Sequence, residues 1–364
     1  YTTLFRSEVV FNPKTTSWHP SYDGRNKEPD TLPVKFPLLL AQGAEGIAVG
    51  LACKILPHNF NELIDASIAI LKGEDFTIYP DFPTGGLMDV EKYNDGLQGG
   101  RLRVRARIKQ VDNKTLVITE VPFTITADSL IDSIVKACDK NQKKKKKIDN
   151  NTASEVEIRI SLPNDTSPDQ TIDALYAFTD CEISLSPNSC VIENEKPRFA
   201  SVSEILKVST ENTLNLLKRE LEIELGELNE KWNWISLEKI FIKEGVYKRM
   251  EKCKTDEEID SEIDTGLKPF VKNLLRPVTI EDIHKLRKIP IDRISKYNSD
   301  KADDTLLAIE DDIKAVTHDL ENLIDYAIAY FERIKNKYGK ERVRKTEIRS
   351  FDYIQEANVA VANE

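Results

Sequence analysis

The sequence predicts an α+β chain of several domains: a mixed α/β part, then two long helical arms with a small helical module between them. Three observations carry this expectation. Before residue 200, short alternating stretches are separated by turns containing Gly, Pro and Asn. From Ser201 onward, apolar residues recur at steps of three and four instead. Residues 235–302 then read as short helices interrupted by Gly245, Gly266, Pro269, Pro277 and Pro290. At 364 residues and 40% apolar composition, the chain exceeds one typical domain and can bury more than one core.

In the mixed part, residues 101–108 give the clearest strand. Alternation puts Leu102, Val104, Ala106 and Ile108 on one face and Arg101, Arg103, Arg105 and Arg107 on the other. The arginine face has two readings: pairing with carboxylates across the sheet, such as Glu155 and Glu157 of a strand at 155–160, or following a bent DNA backbone. Residues 114–121 are expected to form the neighbouring hairpin strand after an Asp112-Asn113 turn. Five consecutive lysines at 143–147 repel one another and demand water, so they form a loop or frayed strand with at most an accessory role against phosphate.

The helical arms are read from two apolar series. Ile205, Leu214, Leu217, Leu221, Leu225, Leu228 and Trp232 keep mostly three- and four-residue steps, with a stutter near Leu225. Leu306, Ile309, Ile313, Val316, Leu320, Leu323, Ala327, Tyr330 and Ile334 alternate them without a break, which is a heptad seam. Helices of about 30 residues are ~45 Å long, which suits arms better than a compact domain. If they pair antiparallel, the module at 235–302 sits at their tip. An ordinary helical bundle is the other reading.

Composition narrows the class. No apolar run is long enough for a bilayer, and no basic start with an apolar middle marks a signal peptide, so a cytoplasmic protein without a membrane role is expected. The five cysteines form no Cys-x-x-Cys pair and have no histidine at zinc spacing, which points to reduced thiols without disulfides or structural zinc. No glycine-rich loop ending in Gly-Lys-Ser/Thr occurs, so a bound ATP is not expected on this chain. The net charge of −10 is uneven: residues 14–147 carry +3 and residues 148–364 carry −13. A nucleic-acid site must therefore use locally presented cations in the first half.

The segment Gly43-Ala44-Glu45-Gly46-Ile47-Ala48-Val49-Gly50-Leu51-Ala52, followed by Leu56-Pro57-His58-Asn59, is the most distinctive. Glycines so placed argue against an ordinary helix or strand and for close approach of another chain; a tight packing turn is the alternative. Tyr22-Asp23-Gly24, Glu28-Pro29, Leu32-Pro33-Val34-Lys35-Phe36-Pro37-Leu38-Leu39 and Asp81-Phe82-Pro83-Thr84-Gly85-Gly86 flank it at near-fixed spacing, and Arg342-Val343-Arg344-Lys345-Thr346-Glu347-Ile348 closes the pattern.

Together these motifs closely resemble the breakage-reunion part of the A subunit of bacterial type IIA DNA topoisomerases, gyrase or topoisomerase IV, over about residues 20 to 350. Two positions depart from it: Gln42 stands where Asn is usual, and Glu45 where a small polar residue is usual. Phe11-Asn12-Pro13-Lys14-Thr15-Thr16 and Lys35-Phe36-Pro37-Leu38-Leu39-Leu40 look more like the topoisomerase IV type.

The resemblance implies a tower domain at 21–200 after a link remnant at 8–20. It further implies coiled-coil arms at 201–234 and 303–338, a dimerisation C-gate at 235–302, and a tail at 339–364 leading towards a further domain. It places Ile47 as the side chain that wedges between base pairs of double-stranded DNA, on a backbone kept bare by Gly43 and Gly46. Lys35, Lys54 and the four arginines are candidate phosphate contacts. It implies a homodimer joined to the topoisomerase B subunit in an A2B2 assembly at the nucleoid. No cofactor is implied on this chain, since Mg2+ and ATP would be held by the B subunit. His58 is expected to hydrogen-bond within its turn.

Strand cleavage in this family uses a tyrosine with an arginine before it. Tyr1-Thr2 lacks the arginine and lies too near Tyr22-Asp23-Gly24, so Tyr1 is rejected and no catalytic residue is assigned. Tyr1-Thr2-Thr3-Leu4-Phe5-Arg6-Ser7 is also what TAC ACG ACG CTC TTC CGA TCT encodes, the end of a common sequencing-library adapter. Residues 1–7 are thus expected to be non-native, with the nucleophile lost upstream. A non-catalytic DNA-bending dimer and a purely structural coiled-coil protein are the competing classes. Reading the nucleotide record at codons 1–7 checks the adapter expectation: genomic sequence there refutes it.

Overall fold

The computed structural model describes residues 12–140, 147–150, 156–163, 167–193 and 196–351. Residues 1–7, Glu155 and the lysine run up to Lys146 lie outside that set. The chain divides into two compact units. One consists of Tyr1–Val9, Val34–Thr213 and Ile328–Glu364; the other consists of Val10–Pro33 and Leu214–Ala327.

The first unit is mixed α/β, as expected. The second unit holds the hairpin β1 (Trp18–Pro20) and β2 (Lys27–Pro29), and all further strands belong to the first: β3 (Ala44–Ala48), β4 (Leu51–Ile55), β5 (Leu87–Asp89), β6 (Leu102–Arg105), β7 (Arg107–Asp112), β8 (Thr115–Glu120), β9 (Lys147–Asn150), β10 (Ile158–Ser161), β11 (Glu182–Leu185), β12 (Cys190–Glu193), β13 (Lys196–Phe199) and β14 (Glu347–Ile348). They make two four-stranded sheets, β11-β6-β5-β14 and β7-β8-β10-β9, and the separate hairpins β3-β4 and β12-β13.

The single strand expected at 101–108 is two strands in two sheets. Ala106 breaks it, because its N–H donates to Cys181 O at 2.8 Å and its carbonyl accepts from the Tyr176 hydroxyl at 2.9 Å, leaving no ladder bond on either side. The alternation itself holds, since Leu102, Val104 and Ala106 are fully buried. The Asp112-Asn113 turn also forms: Lys114 N–H donates to Asp112 Oδ1 at 2.7 Å and β7 pairs antiparallel with β8. The strand expected at 155–160 is β10. Leu116 and Ile118 of β8 and Ile158 and Ile160 of β10 pack with Leu130 and Ile134 of helix Ala127–Lys140 and Leu175 of helix Pro168–Phe178.

The late motif 342–348 completes the first sheet. β14 pairs parallel with β5, and Thr346, fully buried, receives a hydrogen bond from Phe82 N–H at 2.8 Å while donating its own N–H to Asp81 Oδ1 at 2.8 Å. The Arg344 guanidinium uses all five N–H groups. Two grip Glu62 at 2.6 and 2.5 Å, and three reach the carbonyls of Pro80, Tyr79 and Thr346 at 2.9, 3.0 and 3.3 Å. Glu62 sits in the first turn of helix Phe60–Lys72, which Asn59 caps, and the Asn59 amide also bonds to Asp81 and to Arg342 O.

Helix Val202–Lys243, whose residues from Leu214 on belong to the second unit, reaches beyond the arm end expected at 234. The second arm is not continuous. It consists of helices Ser299–Glu321 and Leu323–Tyr338, separated at Asn322, where the backbone leaves helical geometry (φ −114°, ψ 45°) although Asn322 N–H still donates to His318 O at 3.0 Å and its side-chain amide adds a second bond there at 2.9 Å. Residues of the apolar series are buried in each unit: Ile309, Val316 and Ala327 in the second, Tyr330 and Ile334 in the first. The Trp232 indole donates to Glu310 at 3.0 Å and Lys239 ion-pairs with Asp303, so the long helix and Ser299–Glu321 run antiparallel.

Between them, Leu237, Phe241, Val246, Ile263, Leu267, Ile283 and Leu286 form a local core. Helices Asp256–Leu267 and Ile280–Arg287 start at Thr255 and Thr279, the latter in a capping box with Asp282. Arg276 bridges Glu230 and Asp282 with paired hydrogen bonds to each. Burial alone would raise the Asp282 carboxyl, but the bonds from Arg276 and Thr279 outweigh it and hold the group at about 2.

Arg344→Lys keeps the charge but offers three donors on one nitrogen in place of a planar fork of five. It should lower the unfolding free energy by about 2–3 kcal/mol, since several bonds to charged or carbonyl partners go unmade. Urea denaturation at neutral pH reads the loss.

Candidate nucleic-acid interface

The glycine segment is a β-hairpin, contrary to the expectation that its glycines exclude strands. β3 pairs with β4 in register Ala44↔Ile55, Glu45↔Lys54, Gly46↔Cys53, Ile47↔Ala52 and Ala48↔Leu51, leaving Val49-Gly50 as the turn. Gly50 has φ +78°, which suits the two-residue connection. The close approach falls at Gly43 and is made by the chain itself. With φ +72°, a Cβ there would lie 2.7 Å from Ile55 O and 3.0 Å from Pro57 N. At Gly46 a Cβ would meet nothing within 4 Å, so that glycine leaves an open surface.

The hairpin presents apolar side chains to solvent. Ile47 is 91% exposed and Val49 fully exposed, an arrangement with no folding benefit in the isolated chain. Its base is held rigidly. Lys54 N–H donates to Asn188 O at 2.9 Å, Asn188 N–H returns a bond to Lys54 O at 3.0 Å, and the Asn188 amide donates to Ala52 O at 2.6 Å. Ala52 is the register partner of Ile47, so Asn188 braces the strand opposite the exposed isoleucine.

Beneath the hairpin, His58 is buried between Leu40 O and the Tyr93 hydroxyl, each 3.3 Å from a ring nitrogen. Because a carbonyl only accepts, Nδ1 carries the proton and Nε2 accepts from Tyr93. Burial pushes the imidazole down to about 4, with the nearby Arg344 charge adding to it against the Leu40 hydrogen bond. The hydrogen bonds expected of His58 within its own turn run instead to Leu40 and Tyr93, 18 and 35 positions away.

The candidate cations divide. Lys35 is buried with its ammonium 5.6 Å from the Tyr330 ring centroid, which removes it from the phosphate contacts expected of it. Lys54 lies 3.1 Å from Glu45. Arg103 pairs with Asp89 at 2.6 Å, Arg105 with Glu182 at 2.5 Å, and Arg107 with Glu120 and Glu347 at 2.9 Å each. Arg105 is also stacked between the rings of Tyr176 and Phe351, at 4.6 and 4.2 Å. For these three arginines the carboxylate-pairing reading holds, with Asp89, Glu120, Glu182 and Glu347 as partners; Glu157 instead pairs with Arg159. Arg101 is exposed and has no ion pair among the described residues.

A family model for the A subunit of DNA gyrase/topoisomerase IV matches residues 4–332. The chain belongs to that family. Among the family's curated members, it is 40% identical over 341 residues to the A subunit of DNA topoisomerase 4 from Borreliella burgdorferi, covering 94% of this chain and 54% of that protein. It is 27% identical over 359 residues to the A subunit of DNA gyrase from Metamycoplasma arthritidis, covering 92% of this chain and 38% of that protein. The corresponding gyrase protein of Staphylococcus epidermidis is 26% identical over 363 residues, 93% of this chain and 39% of that protein. The chain thus spans about half the length of the topoisomerase relative and less of the gyrase ones. Among the described residues no helix is long and apolar enough to cross a membrane.

Sequence reasoning missed Asn188, Tyr93 and the saturation of Arg344. Asn188 lies 136 positions from the carbonyl it holds, a separation at which no local pattern carries a signal.

His58 fixes a pH dependence. In the unfolded chain it titrates near 6.5 and in the folded chain near 4, so its contribution is complete above pH 6.5 and is lost as pH falls from 6.5 towards 4. The loss should amount to about 3 kcal/mol. His58→Gln should flatten that slope and reduce stability above pH 7, read from urea midpoints across the pH range.

Proposed function

We propose that this chain is the DNA-bending and gate portion of the A subunit of a bacterial type II topoisomerase, of the topoisomerase IV type. One observation carries the reading: a nearly fully exposed isoleucine, Ile47, at the outer end of a hairpin whose base is pinned by Gly43 and Asn188. A stiff β-branched side chain on a bare, braced backbone suits insertion between stacked base pairs, because few rotamers need freezing and the support does not yield. Unstacking costs a few kcal/mol per step and is offset by the phosphate contacts that a bent duplex allows. Gly43 keeps the hairpin base tight, Gly46 leaves room beside the wedge, and Lys54 and the exposed Arg101 are the proposed phosphate contacts.

In the second unit, the antiparallel contacts between Val202–Lys243 and Ser299–Glu321 support reading these helices as coiled-coil arms, with the capped module between them as the homodimer gate. The greater identity to a topoisomerase 4 protein than to gyrase proteins favours the topoisomerase IV type. The full enzyme, joined to B subunits in an A2B2 assembly in the cytoplasm, breaks both strands of one duplex, passes a second through, and relaxes or decatenates DNA. Its Mg2+ and ATP are assigned to the B subunit. The nucleophile is assigned to no residue of this chain. A non-catalytic DNA-bending dimer would use the same wedge and arms.

Ile47→Ala should abolish most duplex bending, read as end-to-end energy transfer on a dye-labelled duplex of about three helical turns, while changing affinity only a few fold. Unchanged bending refutes the wedge. Wild-type cleavage activity in a chain carrying the upstream Arg-Tyr pair, and its absence without that pair, separates the enzyme from the architectural dimer.

A further inference from the structure

We propose that Glu45 sets the strength of duplex binding at the wedge by holding Lys54 in reserve; this rests on the DNA-wedge reading above. Side chains alternate along a strand and cross-strand partners share a face, so the register places Glu45, Ile47, Ala52 and Lys54 on one face of the hairpin. The Lys54 ammonium is 3.1 Å from a Glu45 carboxylate oxygen, with side-chain exposures of 26% and 62%. On the face that carries Ile47, the one positive charge is therefore neutralised by its neighbour. Lys54 is also fixed at its backbone by Asn188 on both N–H and C=O, so its side chain cannot move away from Glu45 by a shift of the strand.

Two effects on DNA follow. Paired with Glu45, Lys54 neutralises no phosphate and releases no counterion. The largely exposed carboxylate additionally repels the phosphates that a wedged duplex brings alongside Ile47. Exposed pairs of this kind are weak, so a phosphate can compete for Lys54, and Glu45 tunes binding without abolishing it. This is a specificity-determining role: with charge attraction reduced at the wedge, bound lifetime there depends more on insertion of Ile47, which requires a deformable base step.

The test uses this chain and a duplex of about 30 base pairs, with affinity measured by fluorescence anisotropy from 50 to 200 mM KCl. Glu45→Gln keeps the shape and removes the charge. It should tighten binding about two- to fivefold, the range of a weak surface pair. The plot of log affinity against log salt should steepen by about 0.9, the value of one added phosphate contact. The double variant E45Q/K54Q should lose that extra slope. Unchanged or weaker binding of E45Q, or a steeper slope that survives in the double variant, overturns the assignment. The two readings fail separately: an E45Q effect with unaltered bending in Ile47→Ala sinks the wedge alone, and lost bending with no E45Q effect sinks the Glu45 role alone.

Discussion

The five-donor grip of Arg344 on Glu62, Tyr79, Pro80 and Thr346 is the constraint on which the mixed unit depends. A guanidinium satisfied in every direction, only 22% exposed, fixes the start of helix Phe60–Lys72 and the turn before β5 against a segment more than 260 residues later. Arg342 and Thr346 add bonds to Asn59, Asp81 and Phe82 on either side. Contacts so distant in sequence are slow to form, because loop closure must come first. The helical unit, rich in local contacts, can order before this seam closes.

That seam also supports the hairpin. Asn59 adjoins His58, His58 bonds to Leu40 and Tyr93, and Pro57 and Ile55 close on Gly43. His58 and Asn59 are buried, so the base of the hairpin is tied through them to the far end of the chain as well as to its own turn. The proposed wedge requires a base stiffer than the stack it would open, and this linkage adds stiffness to that base.

The sequence made periodic features legible and paired features opaque. Alternation at 101–108 put Leu102, Val104 and Ala106 in the core, and the three-and-four spacing found the inward seam from Ile309 to Ile334. Neither pattern could show the breaks at Ala106, where non-local hydrogen bonds to Cys181 and Tyr176 take over, and at Asn322, where one residue leaves helical φ/ψ, because periodicity encodes neither. The arginines illustrate the same limit. Their shared face was readable, but their neutralisation by Asp89, Glu120, Glu182 and Glu347 depends on strands brought together only by the fold. At the glycine segment, the close approach read from the sequence is made within the chain. Only Gly43 is crowded, and by its own chain, whereas Gly46 matters for what it leaves empty.

The hairpin forms a two-stranded sheet by itself, and β3 has no other strand beside it among the described residues. Its outer edge therefore combines unpaired backbone groups with bare apolar side chains, and the neutral Glu45-Lys54 pair offers no repulsion towards an identical edge. Free of nucleic acid and at high concentration, such an edge is a template for self-association. A bound duplex would then also act as a solubilising cover for the protein.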